Sequence, residues 1–478
     1  MHKKIRAWII LALLLLADTT YTFMQHRMVG LDGDMPSLIL PGPHYEPVLS
    51  APFGWAAATG EAAYASPNRF FVHWAMYHYF RLAPAALGTF TDPIAGIFLS
   101  AAAAKTGAHL LLLLLLAGMA ANRKGIGPTL AAAVLMAPLF QSAGYYQPVM
   151  GLIEQAPTYT FFYAWPAVLM LSWLALLCRR WGHLRTATPP LWETLSLYAL
   201  TLIMPFTGPL VPGVIAVGFS IVFGYGGRQL LKKDGWQQRA VFIRQQLPLS
   251  HWAAIGLLGT LGLYSLYLGS LSTEQQEGIS LWARYEKLPA GLWKMLTNKP
   301  GLPLLITGIL LQFALLRRLN AENWRHWSET EIRYLLLFIL LYILLIPLGG
   351  YRDYRPDIVR RDTLQPVLLI LVYLWGKASL LLLFAANRKP GYWLPTVGLL
   401  LLFTVADYTN VRQPPCQEQA LRDMAASTAD TIAISPDCRV ATWAEIPDQD
   451  TRLSSELLVL WGILEEGQYF EYAPAPRD

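Results

Sequence analysis

The fold class predicted by this sequence is an all-α polytopic membrane protein of about 11 transmembrane helices, with a long first exported loop and a small exported C-terminal α/β domain. Three observations predict it. The chain of 478 residues is 54% hydrophobic and only 14% charged, too apolar for an ordinary soluble protein of this size. Apolar segments of roughly 20 residues, the length that spans a bilayer as a helix, recur along it. Lysine and arginine collect in alternate loops, as they do on the cytoplasmic side of membrane proteins.

The expected spans lie near 7–24, 93–120, 127–147, 158–178, 191–206, 209–226, 252–270, 302–316, 333–349, 365–385 and 391–407. The basic start His2-Lys3-Lys4-Ile5-Arg6 precedes the first of them. Its apolar run continues to Met24, and no small-x-small site interrupts it around Asp18-Thr19-Thr20-Tyr21, so it reads as a retained helix rather than a cleaved leader. One side of the membrane holds Lys3, Lys4, Arg6, Arg123, Lys124, Arg179, Arg180, Arg185, Lys232, Lys233, Arg317, Arg318, Arg388 and Lys389. That side is expected to be cytoplasmic, and an odd number of spans then exports the C-terminal tail with loops 25–92, 271–301 and 350–364. The formal charge of +6 follows from this topology and carries no implication of nucleic-acid binding.

Two regions divide the chain: a membrane domain, 1–407, carrying the loop 25–92, and a polar tail, 408–478, beyond the Pro414-Pro415 linker. The loop has turn signals at Met35-Pro36 and Pro41-Gly42-Pro43, then an amphipathic stretch from Asn68 to Phe80 expected to lie along the interface. Loop 271–301, with Trp282, Tyr285 and Trp293 among charges, suits an interfacial helix. In the tail the pattern predicts a helix over 418–426, a strand over 431–435 and a helix over 453–465. Of three cysteines, Cys178 sits at a helix end, whereas Cys416 and Cys438 fall in the tail, where an oxidising compartment would allow a disulfide.

Chemistry is expected first at Gly30-Leu31-Asp32-Gly33-Asp34-Met35-Pro36. Two carboxylates one glycine apart can share a divalent cation such as Mg or Mn, or one can take a proton while the other orients a hydroxyl; Asp-Gly is also an ordinary turn. A second stretch, Tyr351 to Thr363, puts Arg352, Arg355, Arg360 and Arg361 on a side that should be poor in them. Arginine forks match phosphate and Tyr354 can add a hydrogen bond; alternatively the interleaved aspartates pair with the arginines in a structural network. Glu46, His44, Arg69 and Glu154 are further candidates to line a pocket, while His73 and His78 read as one face of the interfacial helix. Asp18, Lys105 and Lys377 lie inside spans, where an ionisable group usually faces the protein and has a partner. No Walker loop, dinucleotide fingerprint, H-E-x-x-H or paired C-x-x-C occurs.

A short cytoplasmic start, one helix, a long exported loop opening on Asp32 and Asp34, amphipathic stretches, many further helices and an exported tail together resemble the GT-C superfamily of membrane glycosyltransferases. These use polyprenyl- or dolichyl-phosphate sugars as donors. The resemblance implies a bacterial inner-membrane enzyme with a cytoplasmic N-terminus and a periplasmic C-terminus. It makes Asp32 or Asp34 the catalytic carboxylate or a metal ligand, and Arg352, Arg355, Arg360 and Arg361 ligands of the lipid phosphate. The tail is smaller than that of the oligosaccharyltransferases and no W-W-D-type signature appears, so the acceptor and the need for a metal stay open. A polysaccharide polymerase or ligase would depend on the arginines alone. A transporter or flippase for a lipid-linked substrate would need ionisable residues along a mid-membrane path, and an assembly factor would need neither loop.

Overall fold

The computed structural model describes residues 2–43, 45–122, 125–140, 152–180, 189–233, 235, 237–238, 246–274, 279–319, 324–351, 356–385, 390–413, 415–443 and 450–473. Among them the chain is mostly helical, with a single two-stranded sheet. Seven helices are long and apolar enough to cross a membrane: Lys4–Arg27, Pro93–Ala120, Pro157–Arg179, Leu210–Leu231, Leu249–Ser270, Gly301–Arg318 and Arg361–Ala385. Four shorter apolar helices, Ile126–Leu139, Leu191–Phe206, Arg333–Gly349 and Gly391–Ala406, fall where the remaining expected spans were placed. The first of these is cut short because Pro138 lies in a 3-10 turn, Ala137–Leu139, that ends it.

The first helix, α1 (His2–Arg27), ends in the buried polar side chains Thr22, Gln25 and His26. Gln25 Nε2 donates to the Asp407 carbonyl at 2.6 Å, and the Tyr21 hydroxyl accepts from the Thr409 N–H at 3.0 Å. The start of the first loop is thereby fastened to the start of the tail. Four loop helices follow, among them α2 (Met35–Ile39) and α3 (Phe70–Gly88), and then α4 (Pro93–Ala120). Asp92 caps α4, accepting the Ala95 N–H at 2.9 Å before Pro93 at its first position. In α3, part of the stretch expected along the membrane surface, Val72, His73, Met76 and Phe80 are buried, and Met76 and Phe80 join a cluster with α4 and the tail. Gly96 permits that contact: a Cβ there would stand 2.4 Å from the Pro84 carbonyl oxygen.

At the centre of the bundle is α5 (Arg361–Ala385), whose apolar residues pack against Gly301–Arg318, Ile126–Met136 and α4. Lipid supplies no hydrophobic drive between helices, so polar side chains add specificity. Gln312 Nε2 donates to Ser379 Oγ at 2.7 Å and to Thr396 Oγ1 at 3.2 Å. Lys377 reaches Glu331 and the Tyr373 hydroxyl, so this intramembrane cation is partnered.

The tail folds as α6 (Cys416–Ala425), β1 (Thr431–Ile434), α7 (Arg452–Leu460) and β2 (Tyr469–Tyr472), with β1 and β2 parallel and Thr431 opposite Tyr469. The helix expected over 453–465 stops at Leu460 because Gly462 takes a φ of 71°, and the chain turns toward the second strand. A disulfide joins Cys416 to Cys438. One apolar cluster runs through Leu421, Met424, Leu457, Leu458 and Phe470 of the tail, and through Leu31, Met35, Ile39, Phe80 and Phe98 of the first loop, α3 and α4. The tail and the first loop share a core.

Candidate functional site

The acidic pair sits where that shared core meets the chain that enters the helix Trp165–Arg180. This entry consists of a short helix, Pro157–Tyr159, and a π-helical turn, Thr160–Ala164, a local widening that recurs at functional sites. Asp32 is 5% exposed. Its Oδ2 accepts the Thr158 N–H at 2.8 Å, and its Oδ1 accepts the Thr158 hydroxyl at 2.7 Å and the Asp34 N–H at 3.0 Å. Burial, followed by the charge of Asp34, raises its pKa from 3.8 to about 6 against the opposing pull of those hydrogen bonds. Behind it, Lys105 Nζ donates to the Val29 carbonyl at 2.6 Å and the Gln155 carbonyl at 2.9 Å, tying the acidic loop to the 152–164 segment from within α4.

Asp34 is half-buried, and its Oδ1 accepts the indole N–H of Trp443, from the tail, at 2.9 Å. The Trp443 ring also leans on Tyr159, with centroids 5.9 Å apart. On the other flank the Tyr45 hydroxyl donates to Glu274 Oε1 at 3.0 Å, and Ser66 Oγ donates to Glu274 Oε2 at 2.8 Å. Burial, then Glu274, pushes the Tyr45 phenol well up; Asp34 adds to the push and Arg69 opposes it. Arg69 lies over the Phe162 ring, 5.4 Å from its centroid. His73, read from the sequence as part of an interfacial face, is instead buried, stacked on Phe162 at 5.3 Å and tilted against Tyr45 at 5.5 Å. Burial and then the Arg69 charge lower its pKa to about 3, so at neutral pH it is an uncharged imidazole.

The arginine stretch reaches the same segment. Arg360 grips Asp362 with two hydrogen bonds, Nε to Oδ1 at 3.0 Å and a terminal NH2 to Oδ2 at 3.1 Å. Burial alone would lower its guanidinium, but Asp362, helped by Tyr163 and Tyr159, holds it above the ordinary arginine value. Arg361 forms an ion pair with Glu154. Both described arginines are therefore already matched to carboxylates, Arg360 to an interleaved aspartate of its own stretch and Arg361 to Glu154 outside it. Arg352, Tyr354 and Arg355 lie outside the described residues, as does His44.

The segment 152–164 thus gathers Asp32 through Thr158, Asp34 through Trp443 and Tyr159, Arg69 and His73 through Phe162, Arg361 through Glu154, and Arg360 through Tyr159 and Tyr163. Glu46 is exposed at the start of Glu46–Ser50. Sequence reasoning missed Tyr45, Thr158, Tyr159, Glu274 and Trp443. None stands in a local pattern; only the fold brings them to the acidic loop. A divalent cation fits this donor set poorly. Three of the four lone-pair positions of Asp32 already accept hydrogen bonds, and no group of three His, Cys, Asp or Glu that could hold a metal occurs among the described residues. No family model matches the chain, and comparison with curated proteins finds none similar to it.

Proposed function

We propose that this protein is a GT-C-like glycosyltransferase of eleven spans, lying in a bacterial inner membrane with its first loop and tail exported, that moves a sugar from a polyprenyl phosphate carrier to an acceptor. The observation that carries the reading is the convergence of an acidic pair and an arginine on one segment: Thr158 is bonded to Asp32, Tyr159 meets the Trp443 ring that donates to Asp34, and Glu154 pairs with Arg361. An inverting displacement needs a base beside the acceptor hydroxyl and a cation beside the departing phosphate.

Asp34, the more accessible carboxylate, takes the proton of the acceptor hydroxyl as its oxygen bonds to the anomeric carbon. The bond from that carbon to the phosphate oxygen breaks, and the electron pair leaves with the lipid phosphate. Arg360, its plane fixed by Asp362, meets the phosphate charge; Arg352 and Arg355 join it in this reading. Asp32 holds the loop that carries Asp34, and Arg69 and Glu274 line the acceptor side. No step runs through a metal.

The test is release of polyprenyl phosphate from a panel of polyprenyl-phosphate sugars by the protein in lipid nanodiscs. Turnover should fall by about a hundredfold or more in Asp34→Asn, the size expected for a lost general base. Arg360→Ala should chiefly weaken use of the donor. Full activity in the Asp32→Asn/Asp34→Asn double variant, with loss in the arginine variants, would replace this reading with that of a polymerase or ligase.

A further inference from the structure

The carboxylate at the centre of the site is oriented by a side chain from the far end of the sequence. An indole N–H is a donor only, so the 2.9 Å contact from Trp443 Nε1 to Asp34 Oδ1 fixes which group donates and which accepts. The approach is built in from both sides. A Cβ on Gly33 would stand 2.5 Å from Trp443 Cδ1 and 2.7 Å from the Trp443 backbone nitrogen, so the residue between the two aspartates must be glycine for the tail to come this near. From the tail, Trp443 is presented by a clamped strand of chain. The Val440 N–H donates to the Tyr472 hydroxyl at 3.0 Å, Thr442 Oγ1 shares a hydrogen bond with the same hydroxyl, and Ser454 Oγ donates to the Ala441 carbonyl at 2.9 Å. Gln417 of the tail meanwhile brackets the loop backbone, accepting the Leu31 N–H at 3.3 Å and donating to the Leu31 carbonyl at 3.1 Å.

We propose that Trp443 is a positioning residue: through it the C-terminal domain sets the Asp34 carboxylate, and the acidic site is complete only with that domain docked. The inference rests on the reading of Asp34 as the proton acceptor. Its physical basis is that a hydrogen bond to the ionised carboxylate favours that form and that orientation, whereas packing alone would favour neither.

Two measurements test it. In protein labelled with 15N at its indole nitrogens and held in nanodiscs, the Trp443 resonance is assigned by its absence from Trp443→Phe, which keeps a ring against Gly33 and Tyr159. That resonance should move upfield in Asp34→Ala. In the donor-cleavage assay Trp443→Phe should lower kcat by about tenfold or more, the worth of one hydrogen bond to a charged group. KM for the donor should be nearly unchanged, and the acid limb of the pH profile should shift to higher pH. An indole resonance indifferent to Asp34→Ala, or a Trp443→Phe variant with the kcat and pH profile of the parent, overturns the proposal. Should the parent protein cleave no donor, the transferase reading falls, and the resonance alone decides whether Trp443 holds Asp34.

Discussion

Thr158 holds Asp32 through both carboxylate oxygens, its N–H on one at 2.8 Å and its hydroxyl on the other at 2.7 Å, across 126 residues of sequence. The contact secures a group that burial makes costly to ionise, and stability should therefore depend on pH in a definite direction. The unfolded chain releases the Asp32 proton near 3.8 and the folded chain near 6. Between these values the folded protein binds a proton that the unfolded chain has lost, so stability falls as pH rises through the window and is level above it, by up to about 3 kcal/mol. Asp32→Asn cannot titrate, and its amide faces the Thr158 and Asp34 donors at every pH. The melting temperature of the parent minus that of the variant should shrink from about pH 4 to about pH 6. A constant difference would show that Asp32 is not buried in this way.

Gly33→Ala places a methyl group 2.7 Å from the backbone nitrogen of Trp443, which cannot swing aside as a flexible side chain would. The expected loss is about 1–3 kcal/mol of stability, the usual range for overpacking. Adding Trp443→Ala should recover only part of it, because the backbone contact remains. Thermal unfolding of the three variants measures this, and full recovery in the double variant would place the conflict in the indole ring alone.

The membrane character of the fold was legible because it is written locally: each expected span is a run of apolar residues, seven of the eleven hold a helix long and apolar enough to cross a membrane, and four hold a shorter apolar helix. The tail helices and first strand were legible for the same reason, since their period and their Gly and Pro punctuation are short-range. The candidate site was legible at Asp32, Asp34, Glu154 and the arginines, where charge stands out against an apolar background. Thr158, Glu274 and Trp443 look unremarkable where they stand, and their roles come from hydrogen bonds spanning 126, 208 and 409 residues. The burial of His73 was not legible because an amphipathic period shows that a helix has an apolar face but not what covers it, here the rings of Phe162 and Tyr45.

Arg361 and Glu154 pair with side chains only 15% and 16% exposed, so removing either charge strands the other in a poorly solvated place. Glu154→Gln and Arg361→Met should each destabilise the protein by about 2 kcal/mol or more, and the two together by less than the sum of the singles. Calorimetric or fluorescence melting of the four proteins gives the coupling. Additive losses would mean that Arg361 does not depend on Glu154 and is available to a ligand.

Lys105 offers the sharpest test of how the acidic loop is held. Lys105 is 1% exposed within an apolar helix, and its Nζ serves the carbonyls of Val29 and Gln155, one on each side of the Asp32–Thr158 contact. Lys105→Met keeps the volume and removes the donor, leaving two buried carbonyls unmatched at about 1–3 kcal/mol each. Because those carbonyls belong to the two segments that form the site, the loss should not be confined to stability. Hydrogen exchange should quicken at the Asp34 and Thr158 amides, both bonded to Asp32, while the amides of β1 and β2 keep their protection. If exchange rose equally in the tail strands, Lys105 would be supporting the whole fold rather than fastening the acidic loop to the 152–164 segment.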